Sequence, residues 1–285
     1  MRERGQAYPM ALVAGAIVSV QSGAAVAFSL FDELGPAGTV LLRVGLAAAV
    51  LGALWRPALR GHSREAVRWA LLFGFTLAAM NLSFYAGLER VPLGIAVTLE
   101  FVGPLGVALA ASRRALDLVL VALAAGGILL LSPDLGDGLD PLGAGLCLLA
   151  GAFWAAYIVL SERVGRAFER GEGLALALAF ASALLLAPGI AQGGADLLRP
   201  ELLAAGLAVA MLSSAIPYSF ELEALRHLRT GTFGVLMSLE PAAAALVGFV
   251  ALDQGLRAPE LLAVAMVVAA SAGALSRAAH PPRDA

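Results

Sequence analysis

The sequence predicts an all-α polytopic membrane protein with ten transmembrane helices arranged as two inverted five-helix repeats. Three observations lead there. Hydrophobic residues make up 60% of the 285-residue chain and charged residues 14%, where a soluble domain carries about a quarter charged residues. Apolar runs near the roughly 20 residues needed to cross a bilayer recur from end to end. A short acid-bearing motif also occurs twice, about half a chain apart.

The runs cover, in order, residues 9–29, 36–55, 67–88, 92–111, 115–132, 142–160, 174–191, 202–220, 232–251 and 259–276. Each reads as a helix, because lipid offers the backbone no hydrogen-bond partner and the segment must satisfy its own groups. The first run has basic flanks but no small-residue cleavage site, and more apolar runs follow it. It is therefore expected to be a retained span and not a removed signal peptide. The fifth run is short, and only Glu89-Arg90 separates the third from the fourth. Gly45, Ala49 and Gly52 stand at helical spacing in the second run and would let helices approach closely.

Arginine distribution orients the spans. With a cytoplasmic N-terminus, fifteen arginines fall in inside segments and three (Arg90, Arg199 and Arg257) in outside loops, while Arg43 lies inside a span. The outside loops are acidic instead, as in Asp134, Asp137 and Asp140. A missed span would scramble this alternation, so both termini are expected in the cytoplasm.

The repeated motif is Gly94-Ile95-Ala96-Val97-Thr98-Leu99-Glu100 against Gly234-Val235-Leu236-Met237-Ser238-Leu239-Glu240, with Ala14-Gly15-Ala16 against Ala150-Gly151-Ala152 as a weaker echo. Repeats are thus expected at 1–136 and 137–285. Five is odd, so the second repeat enters the membrane upside down relative to the first. Inverted repeats of this kind are the architecture of secondary transporters, in which two similar halves open a central site alternately to each side.

Glu100 and Glu240 are the first candidates for function. An ionised side chain at mid-bilayer costs roughly 2.5–3.5 kcal/mol on insertion scales. Such a carboxylate either handles protons or substrate, or hydrogen-bonds a neighbouring helix. Pro104 cannot donate to the carbonyl of Glu100, and Pro241 cannot donate to that of Met237, so both acids lie at helix breaks. Such breaks suit a cavity better than a lipid face. Arg43 either receives a substrate carboxylate, pairs with Glu100 or another acid, or snorkels. Polar-aromatic faces add further candidates for binding a small polar solute: Asn81 with Tyr85, Trp154 with Tyr157, Gln21 in the first span, and Ser213, Ser214, Pro217 and Tyr218 in the eighth. Interhelical hydrogen bonding is the competing reading for each. Glu221 and Glu223 lie near the end of the eighth span, where position alone assigns no role.

Other chemistries find no support. The one cysteine, Cys147, excludes an intrachain disulfide. All nineteen basic residues are arginine, which excludes lysine-based covalent catalysis. No phosphate loop, nucleophile elbow or metal-ligand cluster is present in the sequence. The net charge of −2 gives no information on partners. No enzyme activity, cofactor, metal or nucleic acid is expected.

The segments "VPLGIAVTLEFVGPLGVALAASRR" (91–114), "SSAIPYSFELEAL" (213–225) and "TFGVLMSLEPAAAA" (232–245) resemble the drug/metabolite transporter superfamily (EamA-type), and within it the threonine/homoserine exporter group. Weaker similarity covers nearly the whole chain. The resemblance implies ten helices in two inverted halves in the bacterial inner membrane, both termini cytoplasmic. It also implies proton-driven export of small amino acids such as threonine and homoserine. The motif positions carried over are Glu100 with Gly103 and Pro104, Glu240 with Pro241, Pro217-Tyr218 with Glu221, and Arg43, which has no counterpart in the second half. Other branches move nucleotide precursors, polyamines or hydrophobic drugs, and these are the alternative cargo. The expected partners are a small amino acid or related metabolite, protons as coupling ion, and the lipid bilayer.

Overall fold

The computed structural model describes residues 2–57, 61–90, 99–110, 115–131, 140–169, 171–237, 239–240 and 242–243, with 258, 261–262, 265–266 and 268–270. All regular structure among them is helical. The later part of the ninth expected span, most of the tenth, residues 92–98 of the fourth, and Pro241 lie outside the described residues.

Helix α1 (Arg2–Trp55) is two arms, 2–34 and 36–55, meeting at Gly35 with φ 66° and ψ 175°. That positive φ is open to glycine at little cost, and a Cβ there would also meet the side chain of Gln192. Pro36 has no N–H to leave unpaired at the start of the second arm. The next donor, Ala37 N–H, is capped by Gln192 Oε1 at 2.6 Å. The expected break between the first two spans therefore narrows to one residue.

Helix α2 (Arg64–Leu88) starts at Ser63, whose hydroxyl accepts the Ala66 N–H, and carries Glu65 in its first turn, where a carboxylate favours the positive end of the dipole. It ends at the Glu89-Arg90 turn. Helices α3 (Val102–Ala110) and α4 (Ala115–Leu131) follow. Helix α5 (Pro141–Ala167) has Pro141 in its first turn and Asp140 as N-cap, accepting from Leu142 N at 2.8 Å and Gly143 N at 3.4 Å. Helix α6 (Glu172–Gly193) runs into a 3₁₀ turn (Gly194–Leu198). After it, Arg199 bridges Glu33 at 2.9 Å and Glu201 at 2.7 Å.

The eighth expected span is not one regular helix. It is α7 (Pro200–Ala210), a π turn (Met211–Ala215) and α8 (Ile216–Leu225). Pro217 accounts for the irregularity: it cannot donate to the Ser213 carbonyl, and its ring crowds that oxygen. The backbone widens, and the Ile216 N–H reaches the Met211 carbonyl five residues back. Helix α9 (Thr230–Met237) follows.

Among the described residues, five stretches (Leu30–Trp55, Arg64–Gly87, Pro141–Ala167, Glu172–Leu198 and Pro200–Leu225) are long and apolar enough to cross a bilayer. Large side chains such as Leu71, Phe75, Leu149, Leu186 and Leu207 are exposed on their outer faces, a surface suited to lipid and not to water. Backbones meet at glycines. A Cβ on Gly103 would collide with the Gly151 carbonyl, one on Gly74 with the Ala177 carbonyl, and one on Gly87 with Cys147 Sγ. The small-residue stripe expected to pack in the second arm does so only at Gly45, which faces Ser182. Gly52 borders open space and Ala49 is exposed. Residue size gave the right kind of contact but not the right face.

At the start of α5, the Arg90 hydrogen bond at 3.1 Å and the Leu142 N–H hold the Asp140 carboxyl below its ordinary range. A carboxyl that is more acidic when folded adds stability that is complete above its unfolded value near 3.9 and lost as pH falls through the folded one. Thermal melts of detergent-solubilised protein should therefore show a loss of stability on acidification below about pH 4. The Asp140→Asn variant should show less of it, and an identical acid limb in both proteins would contradict the assignment.

Candidate functional site

The polar residues singled out in the sequence converge on Arg43. Placed on the second arm of α1, its guanidinium is held from three sides: Nε donates to Ser214 Oγ at 2.7 Å, Nη1 to Tyr85 OH at 3.1 Å, and Nη2 to Tyr218 OH at 3.0 Å. The local fold explains each partner. Tyr85 lies one turn past Asn81 on the same face of α2. Ser214 belongs to the π turn, and Tyr218 follows Pro217 at the start of α8. Asn81 completes the set, donating from Nδ2 to the Leu77 carbonyl at 2.8 Å and to Tyr218 OH at 3.4 Å.

Of the readings open for Arg43, a direct ion pair with Glu100 is not what forms: its partners are neutral hydroxyls. Guanidinium has five N–H donors, so two remain. Tyr85 and Tyr218 each accept a bond from Arg43 and keep their own O–H hydrogens to donate. The cluster is therefore rich in donors and carries a permanent positive charge, a combination that favours an anionic group. Arg43 also retains accessible surface, being half-buried while Tyr85 and Tyr218 are buried.

Aromatic rings wall this cluster. The Phe31 ring lies 4.8 Å from Tyr85, Phe73 stacks on Tyr157 at 5.2 Å, and Tyr157 lies 5.6 Å from Tyr218. Trp154 meets Phe101 edge-on at 4.7 Å and so ties α5 to the segment carrying Glu100. Tyr157 donates to Glu221, which is buried. Glu221 is the residue whose place in the site position along the span could not reveal. The resemblance names it with Pro217-Tyr218, and its spacing agrees, three residues past Tyr218 on a shared helical face.

Glu100 is half-buried and Glu240 buried. Neither the Glu100 nor the Glu240 carboxylate has a hydrogen-bond partner among the described residues. The one side-chain polar atom there that is both sealed from solvent and unpartnered is Ser161 Oγ, so these carboxylates are not fully sealed. Gln21 reaches the backbone, not the carboxylate, of Glu240, its Nε2 lying 3.4 Å from the carbonyl. Pro104 is buried, and the Glu100 carbonyl it leaves free faces Gly151.

A charged, donor-rich cluster inside an apolar helical bundle is the kind of site a membrane transporter of polar solutes needs. The EamA-like transporter family model matches residues 141–276. The threonine/homoserine exporters RhtA of Salmonella typhimurium (strain LT2) and of Escherichia coli (strain K12) are each 42% identical to this chain over 269 residues, spanning 93% of it and 90% of their own length. A solved crystal structure that is 19% identical superposes with a TM-score of 0.76, covering 94% of this chain and 96% of its own, and so shares the fold. The chain belongs to the EamA-like transporter family, as the three sequence segments implied, and is not an enzyme.

Proposed function

We propose that the protein exports small amino acids such as threonine and homoserine across the bacterial inner membrane, by proton antiport and alternating access. In this reading the chain forms ten helices in two inverted five-helix repeats, 1–136 and 137–285, with both termini in the cytoplasm. The arginine alternation and the repeated Glu-Pro motif support that arrangement. The names of the 42%-identical relatives support the cargo. The observation that carries the site is Arg43: a fixed cation held by three neutral hydroxyls with donors to spare, suited to a substrate carboxylate. Glu100 and Glu240, whose carboxylates have no hydrogen-bond partner among the described residues, take up and release the coupling proton as their access to water alternates.

Loaded membrane vesicles test this directly. Efflux of labelled threonine should accelerate when an inward proton gradient is imposed and fall when it is collapsed. Glu100→Gln should reduce gradient-driven efflux at least about tenfold, the effect of 1.4 kcal/mol in one step, while the protein still inserts and folds. Gradient-independent efflux would remove proton coupling, and no flux of any amino acid would remove the cargo class. A panel of dyes, polyamines and nucleotide precursors then identifies the alternative.

A further inference from the structure

Asn81 is 5% exposed and sits two hydrogen bonds from the Arg43 guanidinium by way of Tyr218 OH. Its amide orientation is fixed by chemistry: the Leu77 carbonyl can only accept, so the atom facing it at 2.8 Å is Nδ2. Both Nδ2 hydrogens are thereby directed, one to Leu77 and one to Tyr218. The acceptor, Oδ1, has no partner among the described residues and is not among the sealed polar atoms, so it is left free to accept.

We infer that Asn81 is a specificity-determining residue whose Oδ1 accepts the side-chain hydroxyl of the substrate, so that the site selects small amino acids hydroxylated at the β or γ carbon over apolar ones of equal size. The inference rests on the proposed cargo class and adds the basis of its selectivity. In this reading the substrate carboxylate sits on the spare Arg43 donors and a hydroxyl one or two carbons beyond the α carbon sits against the amide, which is linked to Arg43 through Tyr218 OH. The positions are complementary in kind, since Arg43, Tyr85 and Tyr218 offer donors and Asn81 Oδ1 offers an acceptor. Valine, which replaces the threonine hydroxyl with a methyl, would leave a buried acceptor dehydrated and unpaired. Sites built around a substrate hydroxyl reject the analogue lacking it for this reason.

The experiment uses the full-length protein in proteoliposomes, with labelled threonine flux competed by unlabelled threonine, homoserine, valine and 2-aminobutyrate. In the unaltered protein, threonine and homoserine should compete at least about tenfold better than valine and 2-aminobutyrate. In Asn81→Leu the threonine-to-valine ratio should fall to near one, whatever happens to the absolute rate. A purely structural role would slow all substrates in parallel and leave the ratio unchanged, which overturns the inference. Equal competition by valine in the unaltered protein overturns it as well, even if Asn81→Leu fails to fold. Threonine flux with no hydroxyl preference sinks this inference alone, whereas absence of any amino-acid flux removes the cargo reading and this inference with it.

Discussion

Arg43→Ala should abolish amino-acid efflux, and Arg43→Lys should restore little of it. The guanidinium reaches three hydroxyls through three different nitrogens. Lysine presents one ammonium on a flexible stem, without a planar fork, so it cannot hold Ser214, Tyr85 and Tyr218 together and still present a bidentate face to a carboxylate. Removing one side of a buried, hydrogen-bonded charge interaction costs about 2–5 kcal/mol, a loss of roughly 30-fold to more than 1000-fold at 1.4 kcal/mol per decade. Folding should survive, because the truncation leaves a polar cavity lined by three hydroxyls, which water can occupy. Efflux of labelled threonine, normalised to the amount of monodisperse protein, checks this. An Arg43→Ala protein pumping within threefold of the unaltered one would show that the fork does not touch the cargo.

Gly103 gives the largest expected effect on stability. A Cβ at this position collides with the Gly151 carbonyl, and one at Gly151 would come 2.6 Å from the carbonyl of Glu100. Both obstacles are backbone, so no rotamer change relieves them. Overpacking typically costs about 1–3 kcal/mol where side chains can shift. Here α3 and α5 must separate instead, carrying Glu100 and its Phe101–Trp154 contact with them. Gly103→Ala should lower the melting temperature and the yield of monodisperse protein, and Gly103→Val should prevent folding. Gly106→Ala is the control, since its Cβ meets nothing within 4 Å. Equal behaviour of the alanine variants at 103 and 106 would refute the close approach.

Much of this was legible in the chain. The breaks at Glu89-Arg90 and just before Pro141 stand where the apolar runs stop. Arg43, Asn81, Tyr85, Tyr157 and Tyr218 stand out because polar groups are costly in lipid, and the structure brings them into one cluster. What stayed hidden depends on distance in sequence. The Tyr157–Glu221 bond joins residues with no periodic relation. The hydroxyl cage of Arg43 draws on two helices and a π turn, so spacing could name the arginine but not its partners. The single-residue joint at Gly35 was equally out of reach, since Gln192 supplies its cap from a helix more than 150 positions away. The Gly45, Ala49 and Gly52 stripe failed for the opposite reason: short-range spacing was plain, but nothing local says which flank of a helix meets a neighbour.

The widened backbone at Met211–Ala215 has a bearing on register. An extra residue accommodated in one turn advances everything downstream by about 100° relative to an unbroken α-helix. Tyr218 and Glu221 point toward Arg43 and Tyr157 only because of that phase offset. Chains compared across this stretch by an uninterrupted 3.6-residue period will pair the wrong faces after position 215. Shortening the stretch by one residue would swing the tyrosine and the glutamate away from their partners without altering a single side chain.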